Sequence, residues 1–278
     1  MNVSNPEFQR ILLSEARSMA SQSAEQVSQH YSSKLVLVLG TQRSGTTLLY
    51  LMLTAHPDLT GLDEDDAGFQ LPEWLVMAVN GLFGKRTVYK LPTAVWQVGK
   101  LQQLYPHCRI VWITRHPFAV ISSMRNLHFE EEKQNWLQRF GSRELARMVK
   151  MIPTMDQLKL DTLSDVEIGA HLWVAKQNMI PLYREADLSV TTIRDEDLVS
   201  DTEKVARNVL QALDLEWQPE VLRHHRYHGN DIHPGKTRGD KPVDASRAKP
   251  CLNLTSAEKS CILDICDATL PVFGYTAD

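Results

Sequence analysis

From Lys34 to Tyr50 the chain reads KLVLVLGTQRSGTTLLY, an apolar run, a loop punctuated by Gly40 and Gly45, and then Leu48, Leu49, Met52 and Leu53 at helical spacing. An unbroken apolar run of this length is the pattern of a buried strand, and recurrence at three and four positions is that of a helix. The arrangement is repeated in RIVWITRHPFAVISSM, Arg109 to Met124, with a strand over Ile110–Thr114, a break, and a helix that has Pro117 in its first turn. Two strand–loop–helix units predict an α/β fold: a single domain with a central parallel sheet flanked by helices, its first unit P-loop-like. Elsewhere the periodicity predicts helices over Pro6–His30 (through Phe8, Ile11, Leu12, Met19 and Val27), Leu71–Phe83, a charged stretch Glu130–Leu160 with Trp136 and Phe140 on its apolar side, Asp165–Glu185 with Trp173, and Thr255–Leu270, whose Ile262 and Leu263 are expected against the sheet. Residues 223–250 carry Gly229, Pro234, Gly235, Gly239 and Pro242 without a sustained apolar period, and predict a long loop, of a kind that is usually functional or mobile. The division expected is an N-terminal helical segment, residues 1–33, followed by one domain, residues 34–278.

Length and charge narrow the possibilities. With 278 residues the chain builds one large core more readily than two. A net charge of −4, with Lys and Arg unclustered, argues against nucleic acid as the main partner. No segment approaches the ~20 apolar residues that cross a bilayer, and no secretory pattern opens the chain, so a cytoplasmic protein without a membrane partner is expected. Cys108, Cys251, Cys261 and Cys266 lack paired ligand spacing and read as reduced thiols. His224, His225, His228 and His233 have no companion ligands at a convincing spacing, so no metal is expected.

The first loop carries the chemistry. Backbone N–H groups at a glycine-punctuated turn, together with the positive end of a helix dipole, form an anion site. A Walker A loop would place Lys after the second Gly, but Thr46 stands there, and the cation is Arg43 inside the loop. An Arg suits a bidentate grip on phosphate or sulfate. In the second unit Arg115 leaves the strand end and Ser123 lies eight residues on, both at the carboxyl edge where open α/β sheets bind ligands.

Together these elements resemble the sulfotransferases that use 3′-phosphoadenosine 5′-phosphosulfate (PAPS). The matching residues are Arg43, Ser44, Gly45, Thr46, Thr47 and Leu48 for the loop that holds the 5′-phosphosulfate, with Gln42 in place of the usual Pro, and Arg115 and Ser123 for the 3′-phosphate. The segment Thr191–Pro219 resembles a further strand and helix of that family, with Asp195 where a Tyr often contacts adenine. Gly235–Pro242 resembles the late basic loop that closes over the nucleotide, which implies Lys236 and Arg238 on the 3′-phosphate side. Lys90, before Pro92, resembles the family's Lys-x-Pro element and, with Arg43, is implied to neutralise the bridging oxygen as the donor bond breaks.

For the base, the phenol-type sulfotransferases place a His two residues after that Lys, and none stands here. Ala55–Asp66 instead resembles the tyrosylprotein type, in which a count from the loop puts the catalytic Glu on Glu64, with Asp63, Asp65, His56 and His128 as rivals. The acids at 63–66 and 130–132 point to a cationic acceptor by charge. The short form also resembles tailoring sulfotransferases of bacterial secondary metabolism, including those acting on saxitoxin-type alkaloids. The expected enzyme therefore moves the sulfuryl group of PAPS, without a metal, to a hydroxyl or nitrogen of a small molecule such as a guanidinium or carbamate alkaloid. Two other readings stay open: a P-loop kinase using ATP, disfavoured by Thr46, and a nucleotide-binding regulatory protein without turnover.

Overall fold

Strand β1 (Leu35–Gly40) is apolar at nearly every position because it is the middle strand of a sheet covered on both faces. The computed structural model describes residues 10, 14, 17–19, 21–63, 73–127, 136–229, 232–233, 237–245 and 253–276. After helix α1 (Ala24–Tyr31), strand β1 and helix α2 (Thr46–Thr54) come β2 (Leu59–Asp63), α3 (Glu73–Leu82), β3 (Arg86–Lys90), α4 (Val98–Leu104), β4 (Arg109–Thr114) and α5 (Pro117–Arg125). Helices α6 (Ser142–Val149), α7 (Asp165–Gln177) and α8 (Met179–Glu185) lead to β5 (Ser189–Arg194), α9 (Asp195–Ser200), α10 (Thr202–Ala212) and, near the end, α11 (Ser256–Cys266). The five strands pair in parallel in the order β2-β3-β1-β4-β5. The chain moves outward from β1 to β2, returns to β3, and crosses β1 to reach β4. That reversal sets a crevice at the carboxyl end of β1, where α/β sheets bind ligands.

Period-two alternation divides the core. Leu35, Leu37, Leu39, Tyr89, Ile110 and Trp112 face a layer that includes Met77, Leu101, Leu172 and Trp173. Val36, Val38, Val88, Val111 and Ile113 face Leu49, Met52, Val209 and Leu210 of α2 and α10. A residue that looks uniformly buried along the strand therefore belongs to one of two cores.

Several helices differ from the sequence expectation, each for a local reason. Within the span Pro6–His30, residues 21–23 break the helix, and Ser23 starts α1 through a capping box with Gln26. Asp165–Glu185 is two helices, because Pro181 in the first turn of α8 has no N–H to give and would crowd the carbonyl of Gln177. The stretch 136–160 is a π-turn (Leu137–Gly141), α6 and short 3₁₀ turns rather than one helix. Helix α11 is capped by Thr255 and packs against α7, with Ile262 fully buried and Cys266 beside the Ala170 carbonyl, not against the sheet. The expected loop 223–250 holds the end of a 3₁₀ turn (Pro219–Arg226) and a two-residue antiparallel pair, β6 (Ile232–His233) with β7 (Thr237–Arg238). Among the described residues no helix is long and apolar enough to cross a membrane.

That 3₁₀ turn buries His224 completely, and desolvation, reinforced by His225 and His228, pushes its pKa down to about 4. The unfolded chain then binds a proton that the folded chain refuses, so stability falls as pH drops from the ordinary histidine range to about 4 and levels off below. For this group alone the loss is about 3 kcal/mol. Burial lowers His116 and His171 as well, which adds to the same slope. Urea unfolding at stepped pH should show the decline, and His224→Leu should make it shallower.

Candidate active site

The loop after β1 is held open by backbone shape. Gly40 has φ 146°, and a Cβ there would lie 2.2 Å from the Ile113 carbonyl oxygen; Gly45 has φ 91°. Arg43, between them, also takes a positive φ of 70°. Gly45 is the N-cap of α2 and contributes no side-chain cap, so the N–H groups of Thr46, Thr47 and Leu48 are left to be satisfied from outside the helix. Ser44 is not a cap either: its buried hydroxyl lies within reach of the carbonyls of Thr41 and Ile113, the latter at 3.2 Å, and ties the loop to β4. Leu48 packs its side chain into the core on the α2 face and offers the loop only its backbone.

The two motifs read from the sequence meet. Arg43 Nε donates to Ser123 Oγ at 2.9 Å, and Arg115 Nη1 donates to the Arg43 carbonyl at 3.3 Å. Trp173 Nε1 donates to the Arg115 carbonyl at 2.9 Å and fixes that strand end. Arg115 Nε pairs at 3.2 Å with Asp195, whose carboxylate is 1 % exposed. The same carboxylate fills the space beside Gly45, where a Cβ would come within 2.1 Å of it. Asp195 is thus a buried partner of Arg115, under the loop rather than on its surface. His116 caps α5 by accepting from the Phe118 N–H at 3.3 Å.

On the other side of β1 the sheet register puts Asp63 directly opposite Lys90. Their side chains form an ion pair of 2.9 Å, each 3 % exposed, and Lys90 Nζ donates to Thr47 Oγ1 at 3.4 Å. Lys90 therefore reaches the anion loop with its charge already balanced. Glu64, the expected base, lies outside the described residues, as do Asp65, Asp66, His128 and Lys236. His56 is not poised as a base: it is 1 % exposed, its Nε2 contacts the Glu216 carbonyl at 3.0 Å, and its Nδ1 accepts from the Asp58 N–H at 3.1 Å. Arg238 is exposed and pairs with Asp240 at 2.6 Å, in a strand pair whose neighbour His228 contacts the Leu51 carbonyl of α2 at 2.8 Å. Its guanidinium is bound by that acid through Nε and Nη2.

A third cluster escaped the sequence reading. Lys176, fully buried on α7, pairs with Glu144 at 2.6 Å, donates to the Pro92 carbonyl at 2.8 Å and binds the Gln42 side-chain carbonyl. The Gln42 amide in turn donates to Glu144 at 2.9 Å. One ammonium thus joins the anion loop, the turn after Lys90 and α6. The signal was present: Lys176 sits three and four residues after Trp173 and Leu172, on the apolar side of its helix. A cavity of about 710 Å³ between α7, α8, β5 and α11 is lined by none of these charged groups, so the converging cations and not cavity size mark the site.

Comparison with known proteins gives a match to the family described as "Sulfotransferase family" over residues 36–78 and 67–219. Two solved structures share the fold. A "Sulfotransferase Domain from the Curacin Biosynthetic Pathway" superposes with a TM-score of 0.58 at 17 % identity, covering 87 % of this chain and 98 % of that one. A "Sulfotransferase Domain from the Synechococcus PCC 7002 Olefin Synthase" does so with a TM-score of 0.55 at 17 % identity, covering 84 % and 93 %. A Caenorhabditis briggsae protein named "Putative protein-tyrosine sulfotransferase" is 23 % identical over 250 residues, which is 79 % of this chain and 78 % of that protein.

Proposed function

This chain belongs to the sulfotransferase family, and on that premise we propose that it transfers a sulfuryl group from PAPS to a hydroxyl or nitrogen of a small-molecule acceptor. The observation that carries the donor reading is the Arg43–Ser123 contact, which joins the anion loop to the second phosphate motif. In this reading the N–H groups of Thr46, Thr47 and Leu48 and the Thr46 and Thr47 hydroxyls hold the 5′-phosphosulfate. Arg115 and Ser123 hold the 3′-phosphate, with Lys236 and Arg238 assigned to the closing loop by resemblance. PAPS supplies a sulfuryl group on a phosphate leaving group. The acceptor oxygen or nitrogen bonds to sulfur as the bond to the bridging oxygen breaks, and Arg43 and Lys90 balance the charge that grows there. The acceptor's proton passes to a carboxylate, for which the motif count nominates Glu64.

A guanidinium- or carbamate-bearing alkaloid as acceptor rests on the acids at 63–66 and 130–132. Of these, Asp63 lies among the described residues, and its carboxylate is bound to Lys90.

Thermal shift tests the donor. Adenosine 3′,5′-bisphosphate (PAP) should stabilise the protein in proportion to its occupancy, whereas ATP should do so weakly; a large shift with ATP alone would overturn the reading. Arg115→Ala removes one charged donor from the 3′-phosphate and should weaken PAP about 10- to 100-fold while leaving a smaller effect on adenosine 5′-phosphate.

A further inference from the structure

A cavity of about 340 Å³, enough for one substituted ring, opens beside the turn after Lys90 and is lined by Thr93, Trp136, Phe140, Arg143, Glu144 and Arg147. Two connections tie it to the transfer site. Thr93 follows Lys90 by three residues, and the Glu144 carboxylate that faces the cavity also accepts from Gln42, the neighbour of Arg43. Its walls are aromatic: the Trp136 and Phe140 rings lie 6.3 Å apart at an interplanar angle of 34°.

Among the described residues its lining carries a positive excess. Arg143 and Arg147 stand one turn apart on the same face of α6. The Glu144 charge is taken up by Lys176 at 2.6 Å. Arg147 lies over the Trp96 ring at 5.0 Å, an arrangement that leaves its charge unneutralised, and Arg143 is exposed with no ion pair to any described residue. Arg139, four residues before Arg143, sits over the Phe140 ring at 5.0 Å. Aromatic walls with two cations at the mouth fit a flat ring bearing a negative group, because a planar guanidinium binds a carboxylate with paired hydrogen bonds.

We propose that this cavity is the acceptor pocket and that it selects an aromatic acceptor carrying an anionic group, with Arg143 as the specificity-determining residue. The inference rests on the sulfuryl-transfer reading above and opposes the cationic acceptor expected from the acid-rich segments. It predicts that charge on the acceptor is read by α6.

Binding measured by calorimetry decides it without requiring turnover. PAP-loaded protein is titrated with 4-hydroxyphenylacetate, 4-ethylphenol and tyramine at low salt, and the series is repeated on protein without PAP. The carboxylate should bind about tenfold more tightly than the neutral phenol and the amine. Arg143→Gln, a surface change that leaves the buried network intact, should erase about fivefold or more of that advantage, and Arg147→Gln should act in the same direction. Equal affinities, a preference for tyramine, no detectable binding of the carboxylate, or an advantage that survives both substitutions would each overturn the proposal. Failure of PAP itself to bind would instead strike at the donor reading, while the ranking of the three phenols on unloaded protein would still report on the pocket.

Discussion

On the proposed mechanism Lys90→Met should lower kcat by ~10²–10³, the usual cost of removing one aimed donor from a developing negative charge. The same change leaves Asp63 charged, 3 % exposed and deprived of its 2.9 Å partner, which costs about 3–5 kcal/mol of stability. The two effects separate in the double variant. Asp63→Asn added to Lys90→Met removes the buried charge and should restore most of the lost stability, measured by urea unfolding. It should restore no turnover, measured as PAP released from PAPS. Recovery of kcat together with stability would mean that Lys90 serves only to neutralise Asp63.

Lys176→Met should cost about 3–5 kcal/mol of stability, because it strands Glu144 in the interior. It also takes a donor from the Pro92 carbonyl and from the Gln42 side chain, so the anion loop and the turn after Lys90 lose a common anchor. Glu144→Gln in the same chain should recover much of the stability, since an amide at that site carries no charge to compensate. PAP affinity, followed by thermal shift, should remain reduced in the double variant because the Gln42 side-chain carbonyl still lacks its Lys176 donor. A double variant that binds PAP like the parent would reduce the cluster to a matter of core stability.

The arrangement of these side chains divides into what local pattern reveals and what it hides. The central strand and the second strand–loop–helix unit were readable because each lies in a short segment whose spacing carries its meaning, and Arg43, Arg115 and Ser123, which those segments carry, lie together in the fold. Their partners were not. Asp63 meets Lys90 through strand register, and Asp195 meets Arg115 across eighty residues of chain, so neither pairing leaves a local period. Gln42 looked like a departure from the family's usual Pro, yet its side chain is what ties the loop to Lys176 and Glu144. The helix over Asp165–Glu185 was overextended because apolar periodicity continues through Pro181 although the backbone hydrogen bonding does not.

Placement of Asp195 immediately after β5, the outermost strand beyond β4, sets an order on assembly. During synthesis the ribosome releases both phosphate motifs well before the carboxylate that aims Arg115 and packs under Gly45. On the proposed reading, a nascent chain would carry the grip without its support, and binding competence would arise only when the edge of the sheet closes. On the proposed donor reading, nucleotide held there would act in turn as a late fastener on that edge, so starvation for the donor would loosen β5 before it disturbed the older, central strands.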